Sequence, residues 1–198
     1  MSCDGDHGQM NHRVTAALRN IAALERREIP ECPGWLENSD MPFRPVTLPA
    51  PVPGKLWLQS MPGRLESWPT FLVEAHAAQL KLVVCLNPLD EVAQLSPLYH
   101  QAIQNGTLPF EWAHLPMRDF GLGSEARAFS ELVTRVVQAL RDGDSVLLHC
   151  AHGIGRTGTV AACTLKALGL PTLQALTQVR EAGSNPQSAL QSGWIHQF

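Results

Sequence analysis

Cys150 and Arg156 are the residues of this chain best suited to chemistry. Cys150 follows an apolar run at 146–148 and His149, and Arg156 stands six residues later. A cysteine thiolate is a strong nucleophile, and a guanidinium is a planar fork that binds two phosphate oxygens at once. The pair therefore predicts attack of sulfur on a bound phosphoryl group.

The residues between this pair are typical of an anion-binding loop. Gly153 and Gly155 allow the backbone to curl so that successive amides converge on one point. We expect the substrate phosphate to lie against the segment Ala151, His152, Gly153, Ile154 and Gly155. Thr157 follows directly, and its hydroxyl is expected to face the sulfur and to stabilise the thiolate.

Two regular elements must hold this loop in place. Residues 146–149 read as a buried strand, and 157–168 read as a helix with an apolar face. A helix N-terminus presents free N–H groups, and its dipole favours negative charge. Cys150 is therefore expected to be held as the thiolate.

Three other interpretations of the motif are weaker. In the first, Cys150 is only a buried structural cysteine and its spacing from Arg156 arises by chance. The glycines of the loop argue against this interpretation. A nucleotide-binding loop needs glycine in place of Cys150 and lysine in place of Arg156. A zinc site is disfavoured because His149, Cys150 and His152 are crowded and lack a second ligand pair. We therefore expect no metal and no cofactor.

The motif at 149–158 resembles the signature of cysteine-dependent protein tyrosine and dual-specificity phosphatases. Segments 59–64 and 194–198 are similar to the kinase-associated (cyclin-dependent kinase inhibitor 3-like) branch, so the resemblance covers roughly residues 54–198. It implies a phosphatase with a cysteinyl-phosphate intermediate. It also implies that Asp119, on a loop ahead of the cysteine, is the general acid and then the base. Gln187, with Gln191 as a weaker candidate, is implied to orient the attacking water.

Strand and helix patterns alternate from residue 55 onward. The strands are expected at 56–58, 82–86, 111–115 and 146–149, and the helices at 67–80, 91–104, 124–141, 157–168, 172–182 and 187–198. This alternation predicts an α/β fold with a mostly parallel sheet covered by helices on both faces. Ligands bind at the carboxyl ends of such strands, where Cys150 falls.

Residues 1–53 are expected to form an N-terminal helix, ending near residue 29, and a proline-rich arm without regular structure. Residues 54–198 then form the catalytic domain. The arm is expected to pack across the core of the catalytic domain, with docking of a partner protein as the alternative.

Composition narrows the class of protein further. The chain has 198 residues, a formal net charge of -3 and five cysteines without a spacing pattern. The unpatterned cysteines favour a cytoplasmic protein, and the small net charge gives no indication of nucleic-acid binding. No apolar run approaches the 18 or so residues that span a bilayer, so no membrane is expected as a partner.

The substrate class follows from the loop side chains. Ala151, His152 and Ile154 include no lysine, which favours phosphoproteins over lipids. Tyr99 is the only tyrosine, so a shallow pocket for phosphotyrosine and phosphoserine/threonine is expected. The alternatives are a phosphatase of a small-molecule or lipid phosphate, and a phosphate-binding adaptor without turnover.

Overall fold

Five strands and six helices make up the part of the chain that the computed structural model describes, residues 43–117, 126–186 and 195. The strands are β1 (Arg44–Val46), β2 (Lys55–Gln59), β3 (Leu80–Cys85), β4 (Glu111–His114) and β5 (Ser145–His149). The helices are α1 (Trp68–Ala77), α2 (Leu89–Leu95), α3 (Pro97–Gln104), α4 (Ala126–Arg141), α5 (Gly155–Ala167) and α6 (Thr172–Glu181).

The strands form one sheet in the order β1-β2-β5-β3-β4. All neighbours run parallel except β1 and β2, so the predicted mostly parallel α/β sheet is confirmed. Strand β5 lies in the centre, with Leu58 opposite Leu148 on one side and Val84 opposite Leu148 on the other. The carboxyl end of β5 delivers Cys150 to the edge where ligands bind in such sheets.

Both faces of the sheet are buried, as a parallel sheet requires. Every residue of β5 is buried, and its side chains alternate between the two faces. Val146 and Leu148 pack in the cluster that contains the apolar sides of α4 and α5, whereas Leu147 packs with Phe43 and Phe71 on the other face. This burial fixes the register of β5 and therefore the position of the loop that follows it.

Within the described residues the predicted helices are present, but α1 ends at Ala77, so Leu80 belongs to β3 and not to the helix expected at 67–80. Ser67 caps α1 by accepting a hydrogen bond from the Thr70 amide at 3.2 Å. The segment predicted as one helix at 91–104 is two helices, because Pro97 cannot continue the hydrogen bonding of the first. Ser124, and all of the helix expected at 187–198 except Ile195, lie outside the described residues.

Strand β1 corrects the expectation that the proline-rich segment has no regular structure. Pro45 lies in this edge strand, where a residue without an N–H is tolerated. The chain divides into two units, Met1–Asp40 and Met41–Phe198, so β1 belongs with the sheet rather than with a separate arm ending at residue 53. The expected N-terminal helix lies outside the described residues. None of the described helices combines the length and apolarity that a membrane span demands.

Candidate active site

Residues 150–156, here called the Cys150 loop, run from the end of β5 into the first turn of α5. Helix α5 begins at Gly155, two residues before the predicted start, and no side chain caps its N-terminus. Its first N–H groups are therefore open to an anion. Gly153 has φ +69°, and a Cβ there would lie 2.2 Å from the Gln59 carbonyl oxygen, so only glycine fits.

The sulfur of Cys150 lies inside this loop. Its exposed fraction is 3%, and the Gly153 N–H donates a hydrogen bond to Sγ at 3.2 Å. The structure thus places a backbone N–H donor against the sulfur at the start of a helix, the arrangement that the sequence predicts for the nucleophile. The loop therefore brings the predicted nucleophile and the predicted anion-binding amides together.

Arg156 is buried, with 2% exposure, and its guanidinium is held at two places. Nη1 and Nη2 donate to the two carboxylate oxygens of Glu91 at 2.8 and 2.9 Å, and Nη1 also donates to the Met117 carbonyl at 2.9 Å. These hydrogen bonds lower the pKa of Glu91, chiefly because the Arg156 fork binds its ionised form, while partial burial opposes the shift. The arginine is thus oriented before any ligand binds.

Thr157 lies in the first turn of α5 and is fully buried. Its hydroxyl oxygen has no hydrogen-bond partner among the described residues. A buried hydroxyl without a partner is costly, so a structural role alone does not explain it. The predicted contact of this hydroxyl with the Cys150 sulfur is not among the described hydrogen bonds and stays a prediction.

His149, next to the nucleophile, is hydrogen-bonded to the buried Tyr99, which is in turn hydrogen-bonded to the partly buried Trp112. The Trp112 indole N–H donates to the Tyr99 hydroxyl oxygen at 2.9 Å, and this hydroxyl lies 3.0 Å from His149 Nε2. Burial lowers the pKa of His149 to about 3, with the charge of Arg156 adding to the effect, so the ring is neutral. Burial also raises the pKa of Tyr99, so its hydroxyl keeps its proton, and the tautomer of His149 decides which of the two groups donates in this hydrogen bond. Tyr99 lies behind the site and forms no wall of the pocket.

Two segments distant in the sequence hold the outer side of the loop. Arg44, on β1, donates to the carbonyl oxygens of Gly153 and Gly183. Ser184, after α6, donates to the same Gly153 carbonyl at 2.5 Å. In a planar trans peptide the Ile154 N–H points opposite to this carbonyl, so the two hydrogen bonds fix the orientation of the Ile154 amide within the loop. Burial lowers the pKa of Arg44, and attraction to Cys150 opposes that shift.

Three of the sequence-predicted residues lie outside the described residues: Asp119, Gln187 and Gln191. Glu91, Arg44 and Tyr99 were not among the predicted site residues. Glu91 had a detectable signal, since it is an acidic residue just after the carboxyl end of the buried strand β3. Within the described parts of the chain, no group of three His, Cys, Asp or Glu side chains is placed to hold a metal ion.

Comparisons with known proteins agree with this geometry. Residues 75–169 match a family model described as a polymorphic toxin system phosphatase of the DSP-PTPase type. Protein 067L of Invertebrate iridescent virus 3, a tyrosine phosphatase candidate, is 30% identical over 105 residues, which are 51% of this chain and 41% of the viral protein. The chain thus spans less than half of that relative.

Two solved structures share the fold. Kinase-associated phosphatase with its catalytic cysteine changed to serine superposes with a TM-score of 0.67 at 19% identity, over 81% of this chain and 96% of that one. The active form of Tk-PTP gives 0.59 at 22% identity, over 80% of this chain and 97% of that one. At these identities the similarity concerns the arrangement of strands and helices.

Proposed function

We propose that this chain, whose residues 75–169 match the DSP-PTPase family model, is a cysteine-dependent phosphatase of the protein tyrosine and dual-specificity superfamily and hydrolyses phosphotyrosine and phosphoserine/threonine in proteins. The observation that carries the proposal is the Gly153 N–H donating to Cys150 Sγ at the open N-terminus of α5, with Arg156 buried beside it. A nucleophile, an anion-binding loop and a fixed guanidinium are the components that phosphoryl transfer to sulfur needs.

The first step forms the phosphoenzyme. The Cys150 thiolate attacks phosphorus, so an S–P bond forms as the ester P–O bond breaks. Arg156 and the loop amides hold the other phosphoryl oxygens, whose charge they stabilise in the transition state. Asp119 gives its proton to the leaving oxygen, which would otherwise depart as a high-energy alkoxide or phenoxide.

The second step returns the enzyme to its starting state. Water attacks phosphorus while the Asp119 carboxylate takes the water proton, and the S–P bond breaks with its electron pair returning to sulfur. Thr157, whose buried hydroxyl has no partner among the described residues, donates to the departing thiolate. Gln187 orients the water, a role that rests on the resemblance alone.

The loop side chains support a protein substrate over a lipid one. Ala151, His152 and Ile154 provide no lysine for additional phosphates, and the only tyrosine of the chain is buried behind the site. We therefore propose a shallow pocket and a phosphorylated protein as the partner, with docking of that protein as a second role for residues 1–53. We also propose a cytoplasmic location, because Cys85, Cys150 and Cys163 are all free thiols.

The test is a panel of phosphopeptides, phosphoinositides and nucleotides assayed side by side in the presence of a chelator. We expect hydrolysis of phosphopeptides and loss of turnover in Cys150→Ser, because the serine hydroxyl does not ionise near neutral pH. The matched control is Cys163→Ser, which changes another buried cysteine outside the loop.

Each other outcome contradicts part of the proposal. Turnover by Cys150→Ser would exclude the cysteinyl-phosphate mechanism. A preference for nucleotides or lipids would identify a small-molecule or lipid phosphatase. Binding of phosphopeptides by the wild-type protein without any turnover would identify an adaptor.

A further inference from the structure

Arg64 lies in a tight turn that is fastened to the Cys150 loop. After β2 the chain turns at residues 61–64, where Gly63 has φ +73° and the Arg64 N–H donates to the Met61 carbonyl at 3.1 Å. The Met61 N–H donates to the Ala151 carbonyl at 3.4 Å, which joins the turn to the loop. The position of Arg64 relative to the nucleophile is therefore fixed by the backbone.

The Arg64 side chain reaches the two residues that follow the nucleophile. Nη1 donates to the Ala151 carbonyl oxygen at 2.5 Å, and Nη2 donates to His152 Nε2 at 3.1 Å. Because a guanidinium only donates, His152 Nε2 is the acceptor and the imidazole proton is on Nδ1. His152 is exposed, whereas Arg64 is half-buried, so the pair forms an edge of the site that solvent reaches.

The charge of Arg64 is not neutralised by a carboxylate in the described part of the chain. The ion pairs described there are Arg127–Glu131, Arg135–Glu111 and Arg156–Glu91. Glu66 lies close to Arg64 in the sequence, but its hydrogen bonds go elsewhere. Its Oε1 atom accepts from the Gly63 N–H and from the Gln59 side-chain amide, each at 3.1 Å. Of the five N–H donors of a guanidinium, Arg64 uses two in described hydrogen bonds. A cation with donors to spare beside a phosphate site suits a second anion.

We propose that Arg64 and His152 form a subsite for a second anionic group of the substrate, next to the phosphate that Cys150 attacks. The proposal rests on the function proposed above and adds a substrate class to it: phosphopeptides with a carboxylate or a second phosphate beside the phosphorylated residue. The remaining Arg64 donors bind the anion, and the His152 Nδ1–H adds one more donor.

The number of charges favours a peptide over a polyphosphorylated lipid. Arg64 is the one cation of this pair, and the Cys150 loop contains no lysine. A single guanidinium fork matches one additional carboxylate or phosphate group. The formal net charge of -3 also disfavours binding to an anionic membrane surface.

The experiment compares kcat/KM for loss of the tyrosine phosphate from three phosphotyrosine peptides whose neighbouring residue is alanine, glutamate or phosphoserine; the tyrosine product is followed because phosphoserine is itself a proposed substrate. We expect the wild-type protein to prefer the two anionic neighbours by about tenfold, the value of one charge-assisted hydrogen bond at a partly exposed site. In Arg64→Met this ratio falls to about one. Because the comparison is a ratio, any loss common to all peptides, such as loosening of the Ala151 carbonyl, cancels.

Two further variants serve as controls. Arg135→Met removes an equal charge at the amino end of the sheet, where Arg135 pairs with Glu111. We expect this variant to show the same ratio of kcat/KM values as the wild-type protein. Arg64→Lys retains the charge without the fork and gives an intermediate ratio, which decides the question if Arg64→Met does not fold.

Three results would overturn the subsite: a wild-type ratio near one, retention of the ratio in Arg64→Met, or an Arg64-dependent preference for bisphosphorylated inositol lipids that exceeds the preference among peptides. If no peptide is hydrolysed, the proposed function fails. The same ratio, measured as Kd on the Cys150→Ser protein, then still tests the subsite.

Discussion

Glu91 and Arg156, which are 65 residues apart in the sequence, form a two-point ion pair at the active site. Both oxygens of the carboxylate accept from the guanidinium, and the Met117 carbonyl accepts from Nη1 as well. A guanidinium fixed in this way does not need to be ordered when substrate binds.

Replacement of Glu91 by glutamine should slow catalysis. Glutamine keeps the size but accepts at only one oxygen, so the Arg156 fork is no longer held at two points. We expect kcat/KM for an aryl phosphate to fall by about 10- to 100-fold, the loss typical of a misplaced catalytic group. The control is Glu111→Gln, which breaks the exposed pair with Arg135. Equal kinetics in the two variants would mean that Glu91 does not position the arginine.

Asp119→Asn tests the general acid. Only poor leaving groups need a proton in the transition state, so we expect about a 10²- to 10⁴-fold loss with alkyl phosphates and a much smaller loss with nitrophenyl phosphate. Asp142→Asn is the matched control, because Asp142 lies in the turn after α4. A loss independent of leaving-group pKa would move the acid elsewhere, and Asp90 would be tested next.

The pH dependence of stability should report the buried imidazole of His149. Its pKa is about 3 in the folded chain, against about 6.5 when unfolded, so between these values the unfolded state binds more protons. Stability therefore rises with pH across this window and is lost as pH falls. For this one residue, the free energy of unfolding should be about 2 kcal/mol lower at pH 5 than at pH 7.

Urea unfolding at pH 5, 6 and 7 measures this effect. His149→Asn should reduce the slope of stability against pH, whereas His76→Gln, a change at an exposed histidine on α1, should leave it unchanged. A slope in His149→Asn equal to that of the wild-type protein would show that another group titrates.

Mild peroxide should produce a disulfide between Cys85 and Cys150. Strand β3 neighbours β5 in parallel, and Cys85 pairs with His149, one residue before the nucleophile. Burial raises the pKa of the Cys85 thiol to about 12, so its attack on an oxidised Cys150 should accelerate as pH rises from 6.5 to 9.

Mass spectrometry of the digested protein should detect the linked peptide in the wild-type protein and in Cys163→Ala. Cys163 is the matched control because burial raises its pKa to about 12 as well. Cys85→Ala should lack the peptide and should recover less activity in dithiothreitol. Absence of the linked peptide at every pH would refute this prediction.

Local sequence was sufficient to predict the strand, loop and helix around Cys150. The apolar run, the glycines and the arginine all lie within 146–156, so the type of each element can be predicted from this one stretch, although distant residues hold it in place. The sheet was predictable for a related reason, since strands buried on both faces appear as continuous apolar runs, as at 82–86.

The residues that support the loop could not be predicted in the same way. Arg44, Arg64 and Tyr99 come from separate elements, and only the strand order brings them to the end of β5. Strand β1 was missed because Pro45 is a strand breaker by propensity, whereas an edge position tolerates it. Asp119 and Gln187 remain predictions, since they lie outside the described residues.

The hydrogen bond from Arg44 to the Gly153 carbonyl bears on how short a working fragment of this protein can be. A fragment starting at residue 54, the domain boundary that the prolines suggest, would contain Cys150 and Arg156 but would lack β1 and its arginine. The Gly153 carbonyl would retain only the hydroxyl of Ser184. Such a fragment should fold around the β5 core yet bind phosphate poorly. We therefore expect the minimal catalytic unit to include Arg44, although the family match begins only at residue 75.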